Sequence, residues 1–321
     1  MSSDPMSRSE RAAVAGGEAP ITASIVINNY NYGRFLAAAI ESALAQTYPA
    51  TEVVVVDDGS TDGSPDIIAG YGSRVRAVLK ANGGQASAFN AGVAASRGEI
   101  VCMLDSDDVL YPSKVERVVA AFRSGPDIRW VFHPVCRVFE DGRTKVCPVV
   151  PRTVYLDDRA HALRGKLPGP PGPVTSGMVL SRSLLDELLP MPESIRITAD
   201  NYLIFLASAL APGIYLDEVL AAQRIHGGNL YTMRRDRRLT QARIHLLIAR
   251  DMRRRFPQFA RLSNRIFSKA LGDYARVLRR DAVCEATIKE YVGSIAALEL
   301  PDLLLRAGYH SVRRAFAGPA D

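Results

Sequence analysis

Two unbroken apolar runs, each stopping at a cluster of carboxylates, constrain this chain more than any other feature. Val53, Val54, Val55 and Val56 run into Asp57 and Asp58, while Ile100, Val101, Cys102, Met103 and Leu104 run into Asp105, Asp107 and Asp108. A strand with one wet face alternates apolar and polar residues. Continuous runs therefore describe strands covered on both faces, as in a parallel sheet between helices. Ser24–Ile27 reads as a third such strand. Between the runs, Phe35, Leu36, Ala39, Ile40, Ala43 and Leu44 recur at helical spacing ahead of Pro49, and a second helix is expected over Gln85–Ser96. Strands alternating with helices in this way predict βαβ units and an α/β fold.

Further along, Ser113-x-x-Glu116 is a capping-box pattern ahead of Val118, Val119 and Phe122. Val131–Val138 and Lys145–Val150 are expected as strands of a mixed sheet edge, and the Gly/Pro cluster Gly165–Pro173 as a long loop. Ser183–Leu189 and Ala199–Leu210 read as helices, Gly213–Leu216 as a short strand, and the chain after about Tyr231 as helical and basic. The expected organisation is a disordered tail over 1–22, an α/β domain over 23–230 and a basic helical region over 231–321. The tail is small and polar, without an apolar run of secretory length. Nowhere do about 18 uninterrupted apolar residues occur, so a transmembrane helix is not expected. Cys102, Cys136, Cys147 and Cys284 form no C-x-x-C pair, which argues against a zinc cage or disulfide framework and fits a reducing cytoplasm.

Loops after parallel strands converge on one crevice at the carboxyl edge of the sheet. Two acidic loops meet that description, Asp57-Asp-Gly-Ser-Thr-Asp62 and Asp105-Ser-Asp-Asp108. Carboxylates packed this densely repel one another unless a positive charge sits among them, and a divalent cation is the natural candidate. Either loop alone reads equally as a solvated acidic turn. Together on one edge they reinforce each other.

In order, Ser24-Ile-Val-Ile-Asn-Asn-Tyr-Asn31, Ser42-Ala-Leu-Ala-Gln-Thr-Tyr48, Glu52-Val-Val-Val-Val-Asp-Asp-Gly-Ser-Thr-Asp62, Asn90-Ala-Gly92, Ser96-Arg-Gly-Glu99 and Leu104-Asp-Ser-Asp-Asp108 resemble the family 2 glycosyltransferases. The match is ordered from Ser24 to Asp108 and thins to scattered positions from Trp130. The resemblance implies a GT-A (Rossmann-like) fold with a mostly parallel central sheet. It also implies an inverting transferase that moves a sugar from a nucleotide-diphosphate sugar, a UDP-sugar foremost, to a hydroxyl on a glycan or lipid-linked acceptor. Asn28 and Tyr30 would line the nucleotide pocket, Tyr30 stacking on the base, and Asp58 would accept a hydrogen bond from the base ring. Lys80, Gln85 and Asn90 would add polar contacts to the nucleotide. Asp105 would hold the ribose or sugar with Ser106 beside it, and Asp107 and Asp108 would meet Mn2+ or Mg2+. Asp200 stands where the family carries an Asp general base, with Ala199 in place of the Glu often found before it. Gln223-Arg-Ile-His-Gly-Gly-Asn229 is similar to the family's Arg-x-His segment near the diphosphate, offering Arg224 for charge and His226 for metal or phosphate. Taken one at a time, Tyr30 also reads as a packed turn aromatic, Asp200 as a helix cap and His226 as a structural histidine.

The net charge of +6 is small, and much of it falls late. Arg234, Arg235, Arg237, Arg238, Arg243, Arg250, Arg253, Arg254 and Arg255 interleave with Ile244, Leu247, Ile248 and Met252. Such a helix either lies on an anionic bilayer, bringing the chain to a lipid-linked acceptor, or docks on the catalytic domain with its arginines solvated, the preferred arrangement. No nucleic-acid motif is present, so nucleic acid is not an expected partner. Two other functions suit the same fold. A sugar-phosphate nucleotidyltransferase would carry a Gly-rich loop with a basic residue where this chain has Asn28-Asn-Tyr-Asn31, and a binding protein would hold nucleotide sugar without turnover. A dinucleotide oxidoreductase lacks its G-x-G-x-x-G here. Processive polysaccharide synthesis lacks both a Gln-x-x-Arg-Trp segment and membrane spans.

Overall fold

The computed structural model describes residues 19–147, 151–166, 172–229, 236–277 and 279–316. Residues 1–18 of the expected tail, 148–150 of the expected strand, 167–171 of the Gly/Pro loop, and Arg234 and Arg235 lie outside the described residues. The strands in chain order are β1 (Ala23–Asn29), β2 (Thr51–Asp57), β3 (Arg76–Leu79), β4 (Ile100–Asp105), β5 (Val109–Leu110), β6 (Trp130–Phe132), β7 (Val135–Phe139), β8 (Thr144–Cys147), β9 (Val154–Leu156), β10 (Met178–Ser181), β11 (Gly213–Tyr215) and β12 (Ala221–Ile225). The helices are α1 (Gly33–Leu44), α2 (Ser64–Gly70), α3 (Gln85–Ala95), α4 (Lys114–Arg123), α5 (Arg159–Leu163), α6 (Arg182–Leu188), α7 (Asp200–Leu210), α8 (Arg237–Arg255), α9 (Ala260–Ala275), α10 (Ala282–Ser294) and α11 (Leu300–Phe316).

The apolar runs are continuous because alternate residues serve opposite faces of the sheet. Val26, Val54, Val56, Val101 and Met103 join Phe89 and Val93 of α3 in one core. Ile25, Ile27, Val53, Val55, Cys102 and Leu104 join Leu36 and Ile40 of α1 and Val115 and Val118 of α4 in the other. The fit under α3 is close at Gly92, where a Cβ would collide with Val26 Cγ1 and lie 2.8 Å from Val56 Cγ2. Gly92→Ala is therefore expected to overpack this layer and destabilise the fold by about 1–3 kcal/mol. A lower urea midpoint at unchanged m-value would report it.

The larger sheet has the order β3-β2-β1-β4-β10-β6-β11-β9, and a smaller one the order β5-β12-β7-β8. The expected mostly parallel sheet extends only through β3, β2, β1 and β4. Beyond β4 the sheet is mixed, since β10 runs antiparallel to both β4 and β6, and β9 antiparallel to β11. The reason lies in where the chain returns. The turn Thr175–Gly177 sits against the carboxyl end of β4, donating its Ser176 hydroxyl to Asp108 at 2.6 Å, so β10 starts at that edge and runs back down.

Two local expectations are corrected. Val131–Val138 breaks at His133-Pro134 into β6 and β7, which belong to different sheets, as suits a Pro that cannot donate to a ladder. Ser113 is the N-cap of α4, but its backbone is helical (φ −84°, ψ 0°) and its side chain makes no cap bond. Glu116 instead accepts from Thr47 Oγ1 at 3.1 Å, so the capping box does not form.

The basic helical region shares the sheet's core. Leu239, Ile244, Leu247, Ile248 and Met252 of α8 are buried in one apolar cluster with α3, α6 and α7, and that cluster continues through Phe267, Tyr291 and Leu303. Several of the α8 arginines are paired within the fold. Arg243 pairs with Asp281, Arg250 with Glu290 at 3.0 Å, Arg253 with Glu299 at 2.8 Å and Arg254 with Asp251 at 2.9 Å. Among the described residues no helix is long and apolar enough to cross a membrane.

Candidate active site

The carboxyl ends of β1, β2 and β4 open on a cleft of about 490 Å³ that Asn28, Tyr30, Asp58, Gln85, Asp105, Ser106, Asp107 and Asp200 help to line. Residues far apart in sequence, Asp58 and Asp107 among them, thus share one cavity. A second hollow of about 580 Å³ lies against Glu52, Arg74 and Arg76 and includes none of these residues.

Tyr30, one of the cleft-lining residues, is 38% exposed. Asn28 donates to Asp105 Oδ1 at 2.7 Å, and Gln85 donates to the same oxygen at 3.2 Å. Asp58 is more committed than the sequence implied. Its Oδ1 accepts from Lys80 Nζ at 2.7 Å and Gly83 N at 2.9 Å, and its Oδ2 from Gly84 N at 2.6 Å and Asn82 Nδ2 at 3.2 Å. These donors fill the acceptor capacity of a carboxylate, so a base N–H reaches Asp58 only by displacing one of them. Lys80 acts here by holding Asp58 and the loop after β3. Since Asp58 is only 4% exposed against 23% for Lys80, Lys80→Met is expected to strand a buried charge at a cost of roughly 3 kcal/mol, measurable by urea unfolding. Asn90 does not line the cleft. Its amide is tied in both directions to the Met191 backbone, at 3.0 and 2.9 Å.

At the centre, Asp105, Asp107 and Asp108 each present an oxygen within 4.8 Å of the others. Burial, then the charge of Asp107, pushes Asp105 up to about 6. Burial also raises Asp107, and burial with both neighbouring carboxylates raises Asp108 well above the usual range. An all-oxygen donor set under this mutual repulsion suits a hard divalent cation. The three are not equivalent. Asp108 is 1% exposed, with Oδ2 accepting from Ser176 Oγ at 2.6 Å and Oδ1 from Arg224 N at 3.1 Å. It ties the loop to the Thr175–Gly177 turn and to β12, whereas Asp105 and Asp107 face the cleft. Ser106 Oγ, buried at the cleft wall, has no hydrogen-bond partner in the structure.

His226 packs on Phe35 with ring centroids 4.4 Å apart. Its Nδ1 faces Arg34 Nη2 and Gly228 N, both at 3.1 Å, and these groups only donate. The ring proton therefore sits on Nε2, which donates to Asp107 Oδ2 at 3.1 Å. Burial first, then the charge of Arg34, holds the imidazole below its usual pKa and so neutral. A cation at Nε2 needs the other tautomer, with Nδ1–H against two donors, so in this arrangement His226 positions Asp107. Arg224 does not line the cleft either; its guanidinium lies 5.4 Å from the Phe35 ring, where its charge favours ionised Asp107.

Asp200 is the first residue of α7, and its Oδ1 accepts from Asn201 N at 3.0 Å. The N-cap is Ala199, whose side chain makes no cap bond, so the capping reading of Asp200 fails. Burial, with the Asp105 charge second, raises its carboxyl to about 7. Two residues earlier Thr198 has φ 50°, a left-handed conformation that a β-branched residue adopts at a cost of about 1–3 kcal/mol and that recurs at functional sites. Gln85 connects the two halves of the site, since its Oε1 accepts from Ala199 N at 2.9 Å while its amide reaches Asp105.

Sequence reasoning missed several supporting residues. Ser176 braces Asp108 and receives Asp105 N at 3.2 Å, and fully buried Lys114 donates to Ser176 O at 2.7 Å. Asn229 donates to Asp107 Oδ2 at 2.9 Å. Asn229 closes the Gln223–Asn229 segment already singled out, which was its signal; Ser176 and Lys114 gave none.

A Rossmann-like sheet whose strand-end loops gather carboxylates in one cleft defines a GT-A-like α/β protein. The profile described as "Glycosyl transferase family 2" matches residues 24–189, and the chain belongs to that family. An uncharacterized glycosyltransferase of Nostoc sp. is 38% identical over 211 residues, 64% of this chain and 65% of that relative. One from Rickettsia felis is 29% identical over 210 residues, 63% of this chain and 34% of its own length. Both matches thus leave a third or more of the relative uncovered. In fold, the chain is similar to S. aureus TarS in complex with UDP-GlcNAc, with TM-score 0.60 at 19% identity over 90% of this chain and 80% of that one. It is also similar to the mannosyltransferase PcManGT from Pyrobaculum calidifontis in complex with GDP-Man and Mn2+, with TM-score 0.51 at 17% identity over 94% and 89%.

Proposed function

We propose that this chain is an inverting glycosyltransferase, moving a sugar from a nucleotide-diphosphate sugar to a hydroxyl on a glycan or lipid-linked acceptor. The observation that carries the reading is one cleft lined by Asp105, Asp107 and Asp200, the last a carboxylate whose raised pKa suits a general base. Tyr30 stacks on the base, and Asn28 and Gln85 hold Asp105 for the ribose or sugar. Asp107 with Asp105 would hold a divalent ion, Mn2+ or Mg2+, which when bound neutralises charge on the departing diphosphate. Asp200 takes the proton of the acceptor hydroxyl as its oxygen bonds to the anomeric carbon. The bond from that carbon to the diphosphate oxygen breaks on the opposite face, and its electron pair leaves with the nucleoside diphosphate, giving inversion.

The relatives in complex with UDP-GlcNAc and with GDP-Man and Mn2+ support a nucleotide-sugar donor, and a UDP-sugar is our first choice. A thermal-shift panel of UDP-, GDP- and dTDP-sugars with manganese or magnesium tests the reading. A ligand at about 100 times its Kd adds about 2.7 kcal/mol to the native state, so one donor is expected to raise Tm clearly, and only with metal. Metal-dependent pyrophosphate release from a nucleoside triphosphate would instead favour a nucleotidyltransferase, and binding with no transfer to any acceptor a non-catalytic protein.

A further inference from the structure

Strand pairing in the smaller sheet sets Gln223 of β12 opposite Arg137 of β7, and Arg137 opposite Lys145 of β8. Residues paired across adjacent strands project from the same face, so these three form one row. Gln223 and Arg137 line the cleft, with Arg137 Nε donating to Gln223 Oε1 at 3.0 Å, and Lys145 is exposed on the edge strand. Neighbouring strands lie about 4.8 Å apart, so the row extends roughly 10 Å outward from Gln223. Arg224, next along β12, falls on the opposite face beside Phe35. It therefore serves the carboxylate centre and not this row.

Arg196 and Arg237 also line the cleft, Arg196 donating to Asn82 Oδ1. Among the described residues no carboxylate lies in ion-pair contact with Arg137, Lys145, Arg196 or Arg237, whereas the arginines of α8 at 243, 250, 253 and 254 each hold one. Although Asp58, Asp105, Asp107 and Asp200 share the cleft lining, the Arg137–Lys145 row has no carboxylate in ion-pair contact among the described residues, and such a row complements an anion. On the transferase reading, a donor held at Asp105 and Asp107 would leave the Arg137–Lys145 row for the acceptor.

We propose that the acceptor subsite takes an acceptor bearing phosphate or another oxyanion, laid along Arg137 and Lys145 with its attacking hydroxyl at Asp200. This rests on the transferase reading of the same cleft. The oxyanion belongs either to a soluble phosphorylated glycan or polyol or to a lipid headgroup.

The test titrates sn-glycerol 3-phosphate by calorimetry into full-length protein saturated with UDP and manganese, with glycerol as the neutral control. Co-sedimentation with phosphatidylcholine vesicles, with and without phosphatidylglycerol, forms the second arm. Glycerol 3-phosphate is expected to bind with UDP still in place and glycerol not to bind. Arg137→Gln and Lys145→Gln are each expected to weaken it at least tenfold, leaving UDP affinity within twofold and the circular dichroism unchanged. Retention on phosphatidylglycerol vesicles that both variants abolish assigns the anion to lipid; glycerol 3-phosphate binding without such retention assigns it to a soluble acceptor. Competition between glycerol 3-phosphate and UDP, equal loss of UDP affinity in Arg137→Gln, or indifference of both arms to both variants overturns the proposal. No heat from UDP with manganese removes the donor reading itself, whereas tight UDP binding with no response in either arm removes only the anionic acceptor.

Discussion

Asp200→Asn is expected to lower transfer turnover by about 10²–10⁴-fold, the usual worth of a positioned general base, while donor binding stays within twofold. The carboxylate has few ties within the protein, accepting from Asn201 N at 3.0 Å and facing the cleft. Its pKa, raised to about 7 by burial and then by Asp105, makes a signed prediction. Below about 7 the group is protonated and accepts no proton, so turnover is expected to fall about tenfold per pH unit on the acid side and to level off above. A cation beside Asp105 offsets that neighbour's charge, so with metal the midpoint shifts to lower pH; Asp200→Asn loses this limb altogether. Stability moves the other way. The unfolded carboxyl ionises near 3.9 while the folded one keeps its proton to about 7, so native stability declines as pH rises through that window. Asp200→Asn is thus expected to be more stable than the parent protein at pH 8 and equal to it near pH 4, by urea denaturation. Wild-type turnover in the variant would remove the base from the mechanism.

What could be read in the sequence was whatever local pattern decides. β1, β2 and β4 are apolar on both faces, so their runs identify them and place the acidic loops on one edge. The direction of β10 depends on where the chain re-enters the sheet, after a small sheet whose strands are short and half polar, and no local pattern encodes that. The docking of α8 on the α/β domain follows from its interleaved apolar residues, whereas the pairing of Arg243 and Arg250 with Asp281 and Glu290 does not show in any local pattern. The site divides likewise. Asp105, Asp107 and Asp200, singled out from local motifs, do line one cleft, but the braces at Ser176 and Lys114 are set by contacts 62 or more residues away in sequence. Asp58 and Asn90 show the converse, motif residues whose side chains the fold engages in holding loops.

Asp107→Ala is expected to lower metal-dependent turnover by about 10³-fold or more, beyond the 10²–10³ loss from removing a single transition-state contact, because charge and cation ligand vanish together. The fold gives no substitute. Asp108 is adjacent in sequence, but its two oxygens are bound to Ser176 Oγ and Arg224 N, so turning it to the cleft would break both bonds. His226 and Asn229 converge on Asp107 Oδ2 at 3.1 and 2.9 Å, orienting the carboxylate that the variant deletes. Folding should survive the change, since the Asp107 charge is among the causes that raise both Asp105 and Asp108 and its removal eases that repulsion. Chelation of the parent protein is then expected to reproduce the loss, and chelation of the variant to add nothing. The donor-dependent thermal shift should disappear in both cases. Undiminished turnover in Asp107→Ala, or a parent enzyme indifferent to chelator, would mean that these carboxylates hold no catalytic cation and that the departing diphosphate is stabilised by the surrounding arginines instead.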